Sequence, residues 1–222
     1  MTRLFDLPCP ALPLDGALFP VRRIFCIGRN YADHAAEMGH APDREKPFFF
    51  TKSAHALALP GRIPYPPGTN DLHHEVELVL AIGATLSGAD ADAAARGIIA
   101  RAVGLDLTRR DLQAEAKDKR RPWDAGKDFD ASAVIAPLSR ASAGPGIRLA
   151  VNGTIRQQAR LDDMLFNEAE LVAYLSTLYR LEPGDLVMTG TPAGVGPLLP
   201  GDRVQAEVDG WPVLEAEIVP VA

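Results

Sequence analysis

A chain of 222 residues can bury about 70% of the surface that its unfolded form exposes, and its 47% hydrophobic and 23% charged residues exclude a disordered or membrane-embedded class. The formal charge of −6 opposes nucleic acid as a partner, since phosphate binding needs a net basic face. Two cysteines, Cys9 and Cys26, furnish neither a disulfide framework nor a four-cysteine zinc site, which favours a reducing compartment.

Residues 1–20 read as an N-terminal arm, in which Asp6, Pro8, Pro10, Pro13 and Asp15 interrupt any signal-peptide core. No apolar run reaches the roughly 18 residues that would span a bilayer, so the cytoplasm is the expected location. A single catalytic domain is expected over residues 21–222. Residues 21–27 form a β-type run closed by Gly28, and Asn30 is placed to cap a helix over 30–38 that Gly39 stops. Residues 48–52 and 75–82 read as strands, and 90–100, alanine-rich with an acidic start, as a helix. A short strand over 103–107 and a helix over 108–117 follow. The run 117–121, basic but broken by Asp118, reads as a solvated helix end. Asn152-Gly153 predicts a two-residue hairpin turn. Asn167 and Glu170 approximate a capping box for a helix over 168–179, with Leu171, Val172 and Leu175 on one face. Turns at Pro183-Gly184 and Pro200-Gly201 and a hairpin at Asp209-Gly210 finish the chain in strands. Helices do not alternate regularly with strands, so the fold class is mainly β (α+β), not a doubly wound sheet.

The chemistry concentrates in a few places. Glu75 and Glu77 are two apart on a strand and project to one face, where their repulsion invites a cation; a solvated edge is the alternative. Asp106 stands in a run too apolar to host an unpaired charge, and needs either a metal or a basic partner such as Arg109 or Arg110. Three oxygen ligands without a thiolate point to Mg²⁺ or Mn²⁺. His34 and Glu37 are neighbours on one helix face, either a carboxylate-oriented general base or a surface ion pair. His73 and His74 do not make a zinc-protease motif, because Leu78 stands where the second histidine is needed. The glycine-rich residues 189–196 lack the ending of a phosphate loop and read as a substrate-facing loop or a plain turn.

Taken in order, Gly28-Arg29-Asn30-Tyr31 with Asp33-His34, Phe49-Phe50-Thr51-Lys52, His74-Glu75-Val76-Glu77-Leu78, Gly104-Leu105-Asp106-Leu107-Thr108 with Arg110-Asp111, Lys127, and Gly190-Thr191-Pro192 with Gly194-Val195-Gly196 resemble the fumarylacetoacetate hydrolase family, and within it the bacterial fumarylpyruvate hydrolases and acylpyruvases. The resemblance runs from about Val21 to the C-terminus. It implies a mixed β-sandwich roll, usually a homodimer, with Mg²⁺ or Mn²⁺ on Glu75, Glu77 and Asp106. It also implies that His34 and Glu37 activate water on a segment folding over a small diketoacid, and that Lys127, Arg110 and Gln113 stabilise negative charge. Arg29 and Asn30 supply backbone donors, and Lys52 and Thr191 match further substrate-binding positions. Arg110 and Lys52 are the cations expected for a distal substrate carboxylate, with Arg109 the weaker candidate. Ser53 departs from the proline common after the lysine, and residues 39–46 are expected at the mouth of the site. The implied activity is hydrolysis of fumarylpyruvate to fumarate and pyruvate in gentisate catabolism. The alternatives are decarboxylation of oxaloacetate, isomerisation or decarboxylation of catechol-pathway acids, and a non-catalytic metal-dependent binding protein.

Overall fold

The computed structural model describes residues 4–37 and 46–220, so the predicted helix stop at Gly39 and nearly all of the expected mouth segment lie outside the described residues. The segment read as an arm contains a hairpin, β1 (Ala11–Leu14) and β2 (Ala17–Pro20), turned at Asp15 and Gly16, both at positive φ. Next come β3 (Arg23–Gly28), α1 (Ala32–Glu37), β4 (Phe48–Lys52), β5 (Leu57–Ala58), β6 (Gly61–Pro64), β7 (Leu72–His74) and β8 (Val76–Ile82). The middle of the chain supplies α2 (Ala91–Gly97), β9 (Ile98–Asp106), β10 (Thr108–Arg109), α3 (Arg110–Asp118), α4 (Asp124–Lys127) and β11 (Ala133–Ile135). It closes with β12 (Gly146–Val151), β13 (Thr154–Arg160), α5 (Glu168–Leu178), β14 (Asp185–Met188), β15 (Gly196–Leu198), β16 (Arg203–Val208) and β17 (Leu214–Val219).

The architecture is a mainly-β mixed roll. A seven-stranded sheet in the order β4-β3-β14-β8-β9-β11-β5 is parallel only at β14/β3 and β11/β5, and a five-stranded sheet runs β13-β12-β16-β17-β6. Strand β8 is buried at every position, as a strand covered on both faces must be. Leu78, Leu80 and Ile82 point into a core shared with the five-stranded sheet and with Leu171, Val172 and Leu175 of α5. Val79 and Ala81 point the other way, against Leu12, Leu14 and Phe19 of the hairpin and Cys26 of β3. A small antiparallel sheet, β10-β7-β15, joins the strand carrying His73 and His74 to the start of α3.

Three expected boundaries move. The helix predicted from Asn30 begins at Ala32, and the Asn30 side chain bonds Phe166 and Thr189 instead of capping it. The helix predicted over 90–100 stops at Gly97, because Ile98 and Ile99 open the nine-residue β9; Asp90 caps it, accepting from Ala93 N at 2.8 Å. A Cβ at Gly97 would press on the end of the Leu86 side chain, which would have to shift to admit it. The helix predicted from 108 begins at Arg110, since Thr108 and Arg109 pair with β7. The Asn152-Gly153 hairpin forms with both residues at positive φ, and Asn167 and Glu170 complete a reciprocal capping box.

Candidate active site

The residues with chemistry gather on the face of the seven-stranded sheet that carries Val79 and Cys26, near the end where β8 and β9 pair. Glu75 occupies the joint between β7 and β8, Glu77 lies on β8 across from Gly104, and Asp106 ends β9, its N–H bonded to Glu75 O at 2.9 Å. One carboxylate oxygen from each lies within 4.8 Å of the others, and all three residues are buried. Burial would push the Glu75 carboxyl up, but the Lys127 ammonium and Arg110 guanidinium hold it below the usual range. Glu77 is the reverse case: burial, then the Asp106 and Glu75 charges, push its carboxyl well up, against Lys127 and one N–H, from Gly190 at 2.8 Å. Asp106 Oδ1 is buried, 2.9 Å from the Lys52 ammonium but without a hydrogen bond. A cluster of hard oxygen donors with a repelled, weakly compensated carboxylate fits a divalent cation of the Mg²⁺ or Mn²⁺ class.

Lys127, at the end of α4, places its ammonium between two of these carboxylates, donating to Glu75 Oε2 at 2.8 Å, Asp106 Oδ2 at 2.7 Å and Thr108 Oγ1 at 2.7 Å. Burial would lower its pKa, but Asp106 and Glu75 raise it instead. Arg110 donates to Glu75 Oε1 at 2.5 Å and to Gln113 Oε1 at 2.6 Å, with His73 Nδ1 3.4 Å from its Nε. Three carboxylates thus face Lys52, Arg110 and Lys127. With Arg29 and Lys117 also lining the cavity, a divalent cation at the triad would leave it positive overall and suited to an anionic ligand.

His34 lines the same cavity as Glu75, Glu77 and Lys127, and its Nδ1 lies 3.2 Å from Glu37 Oε2. Both Glu37 oxygens also accept from Gly194 N at 3.2 Å, which ties α1 to the glycine-rich loop. Gly194 has φ +94°, and a Cβ there would run into the Arg156 carbonyl, so this approach requires glycine.

The family profile described as fumarylacetoacetate (FAA) hydrolase C-terminal matches residues 23–219. This chain belongs to the fumarylacetoacetate hydrolase family. It is 45% identical over 180 residues to a fumarylpyruvate hydrolase of a Ralstonia species, covering 78% of this chain and 94% of that protein. It is also 41% identical over 205 residues to an oxaloacetate tautomerase of Escherichia coli strain K12, covering 88% and 93%. The crystal structure of fumarylpyruvate hydrolase from Pseudomonas aeruginosa in complex with Mn²⁺ and pyruvate matches with a TM-score of 0.95 at 42% identity, over 99% of this chain and 100% of that one.

In this member of the fumarylacetoacetate hydrolase family, Arg29, His34, Arg110, Gln113, Lys127 and Thr191 line one cavity with Glu75 and Glu77. Lys52 and Asn30, also expected at the substrate, have their side chains engaged within the protein. Lys52 turns inward, its ammonium on Asp106 and on the carbonyls of Leu107 and Lys127. Asn30 is a buried staple: Nδ2 donates to Phe166 O and Thr189 O, and Oδ1 accepts from Phe166 N. Asp106 pairs with lysines instead of Arg109 or Arg110, and Arg109 lies over the Phe129 ring, 4.3 Å from its centroid. Ser53 uses its N–H on Asp128 Oδ1 at 2.9 Å, a bond that a proline at this position could not make.

Gln157 went unnoticed in the sequence, although it positions Thr191. Its Oε1 lies 3.0 Å from both Val76 N and His74 Nδ1, and its Nε2 donates to Thr191 Oγ1 and Pro192 O. Its only linear signal is an amide in a hairpin strand, which is no signal at all. Lys117, read as part of a solvated helix end, lines the cavity instead, with Trp123 and Phe48 beside it.

Proposed function

We propose that this protein hydrolyses a carbon–carbon bond of an acylpyruvate, with fumarylpyruvate, cleaved to fumarate and pyruvate, as its preferred substrate. The observation that carries the reading is the His34–Glu37 pair opening onto the cavity of the carboxylate triad. Hydrolysis needs a base for water as well as a site for the keto acid, and this cavity offers a candidate for each. The similarity to named fumarylpyruvate hydrolases supports the same substrate. The reading also takes the protein as a cytoplasmic homodimer serving gentisate breakdown.

Glu75, Glu77 and Asp106 would hold Mg²⁺ or Mn²⁺, which supplies Lewis-acid stabilisation of negative charge at the α-keto acid end of the substrate. His34 removes a proton from water, and Glu37 fixes the imidazole so that its other nitrogen faces the cavity. The water oxygen adds to the carbonyl remote from the keto acid. The bond from that carbon to the neighbouring methylene then breaks, giving a carboxylic acid and leaving the electron pair on the pyruvate portion, where a proton completes pyruvate. Lys127 and Arg110 present the positive charge that this portion meets as it becomes more negative.

A second reading, conversion of oxaloacetate, is supported by the similarity to an oxaloacetate tautomerase. It adds no water across a carbon–carbon bond. The test is steady-state loss of fumarylpyruvate, acetylpyruvate and oxaloacetate with Mn²⁺ or EDTA, assaying pyruvate. Metal-dependent pyruvate release that favours fumarylpyruvate is expected. His34→Ala should lower acylpyruvate turnover by about 10²-fold or more, the usual worth of a general base. Turnover of that variant within about twofold of wild type would overturn the assignment of the base. Consumption of oxaloacetate alone would favour the second reading.

A further inference from the structure

Four cations line the cavity: Arg29, Arg110, Lys117 and Lys127. Lys127 is committed to Glu75, Asp106 and Thr108, and Arg110 to Glu75 and Gln113. Lys117 is not committed in this way. It is half-buried in the last turn of α3, its Nζ lies 4.9 Å from the centroid of the Trp123 ring, and among the described residues no carboxylate pairs with it.

The setting of Lys117 is built, not loose. The first turn of α3 is pinned by Asp111, whose carboxylate accepts from Thr69 Oγ1 at 2.6 Å, Leu112 N at 2.8 Å and Asn70 N at 3.2 Å. Trp123 packs edge-on against Phe48 at 5.0 Å and beside Phe50 at 5.9 Å, so the shelf under the ammonium is rigid. Arg110, Gln113 and Lys117 follow one another at spacings of three and four along α3, which places them on a single stripe facing the cavity. A half-buried ammonium beside two guanidinium groups is an unfavourable arrangement until an anion joins it. Partial burial, then Arg110 and Arg29, bring its pKa down to about 8.

We propose that Lys117, seated on Trp123, is the specificity-determining residue that receives the terminal carboxylate of a dicarboxylic acyl chain. The proposal rests on the acylpyruvate reading, in which the keto acid end lies at the triad and the acyl tail extends to the aromatic rim. Lys52 and Arg110, the cations that the sequence offers for this role, are engaged inward by Asp106 and Glu75. A neutral acetyl tail gains nothing from Lys117.

The experiment compares two seven-carbon ligands on the Mn²⁺-loaded protein by calorimetry: 2-oxoheptanedioate, as long as fumarylpyruvate and ending in a carboxylate, and 2-oxoheptanoate, which lacks that carboxylate. Wild type should bind the dicarboxylate about tenfold tighter, the factor expected of one charge-assisted hydrogen bond. Lys117→Met should reduce the ratio to within about twofold while leaving the monocarboxylate unaffected, and Lys117→Arg should retain most of it. In steady state, Lys117→Met should raise KM for fumarylpyruvate with little change in kcat, and leave acetylpyruvate unaffected. Equal affinities in wild type, or equal weakening of both ligands by Lys117→Met, would overturn the proposal. Failure of wild type to cleave any acylpyruvate would remove the hydrolase reading alone, because the binding ratio needs no turnover.

Discussion

Glu77 carries the largest unmet electrostatic demand of the three carboxylates, since Lys127 reaches Glu75 and Asp106 but is not bonded to Glu77. Its replacement should therefore help the metal-free protein. Glu77→Gln is expected to raise Tm in EDTA and to remove most of the rise in Tm that Mn²⁺ gives wild type, both readable by thermal unfolding. A fall in Tm in EDTA would mean that Glu77 is stabilised by something other than a cation. Lys117 adds a pH dependence with a definite sign. Its ammonium is protonated below about 8 and lost above it, so the preference for 2-oxoheptanedioate should decline as pH rises through about 8. The charged groups around it are Arg110, Arg29, Glu75 and Lys127, with Glu75 shifted down and Lys127 up, so these two hold their charge across that interval. At this scale the triad was legible, because Glu-x-Glu on a strand and an aspartate in an apolar run are local patterns. Lys117 was legible only in hindsight, as the third member of the Arg110–Gln113–Lys117 stripe. A basic run does not reveal which of its members turns inward.

Among the elements, α1 and the glycine-rich loop matter most, because they carry the His34–Glu37 pair and its support. Asn30, just before α1, joins the ends of β3 and β14 to the segment before α5 through three side-chain hydrogen bonds. Asn30→Ala should cost about 2–4 kcal/mol of stability, from the loss of those bonds and the burial of their partners. Denaturant unfolding measures this directly, and a loss below about 0.5 kcal/mol would show that the staple is dispensable. The sequence identified α5 with its cap and the Asn152-Gly153 hairpin, each specified by residues within a few positions, and the presence of α1 but not its start, since Asn30 is drawn to Phe166 and Thr189 instead of capping it. It misplaced the end of α2, where alanine content argued for helix and the β-branched Ile98 and Ile99, pairing into β9, prevailed.

At the scale of the whole molecule, the two large sheets must stay in register for the site to exist, and Gln157 shows how. One amide on β13, at the edge of the five-stranded sheet, bonds the β7–β8 region and the loop that carries Thr191, with all four of its contacts buried. Gln157→Met, similar in size but without the amide, should cost on the order of 3–5 kcal/mol and raise KM, because Thr191 and the backbone next to Glu75 lose one shared support. Unchanged Tm and KM would refute this. Such long-range cross-links are invisible in a linear sequence, where residues 157, 76 and 191 have no relation until the sheets assemble. Among the described residues no helix is long and apolar enough to cross a membrane. The Glu37 carboxylate, finally, has two duties: it aligns the His34 ring and it ties α1 to Gly194. Because His34 and Glu37 ride on the same short helix, their mutual alignment travels with α1, and it is the bond to Gly194 that fixes where the pair stands relative to the triad.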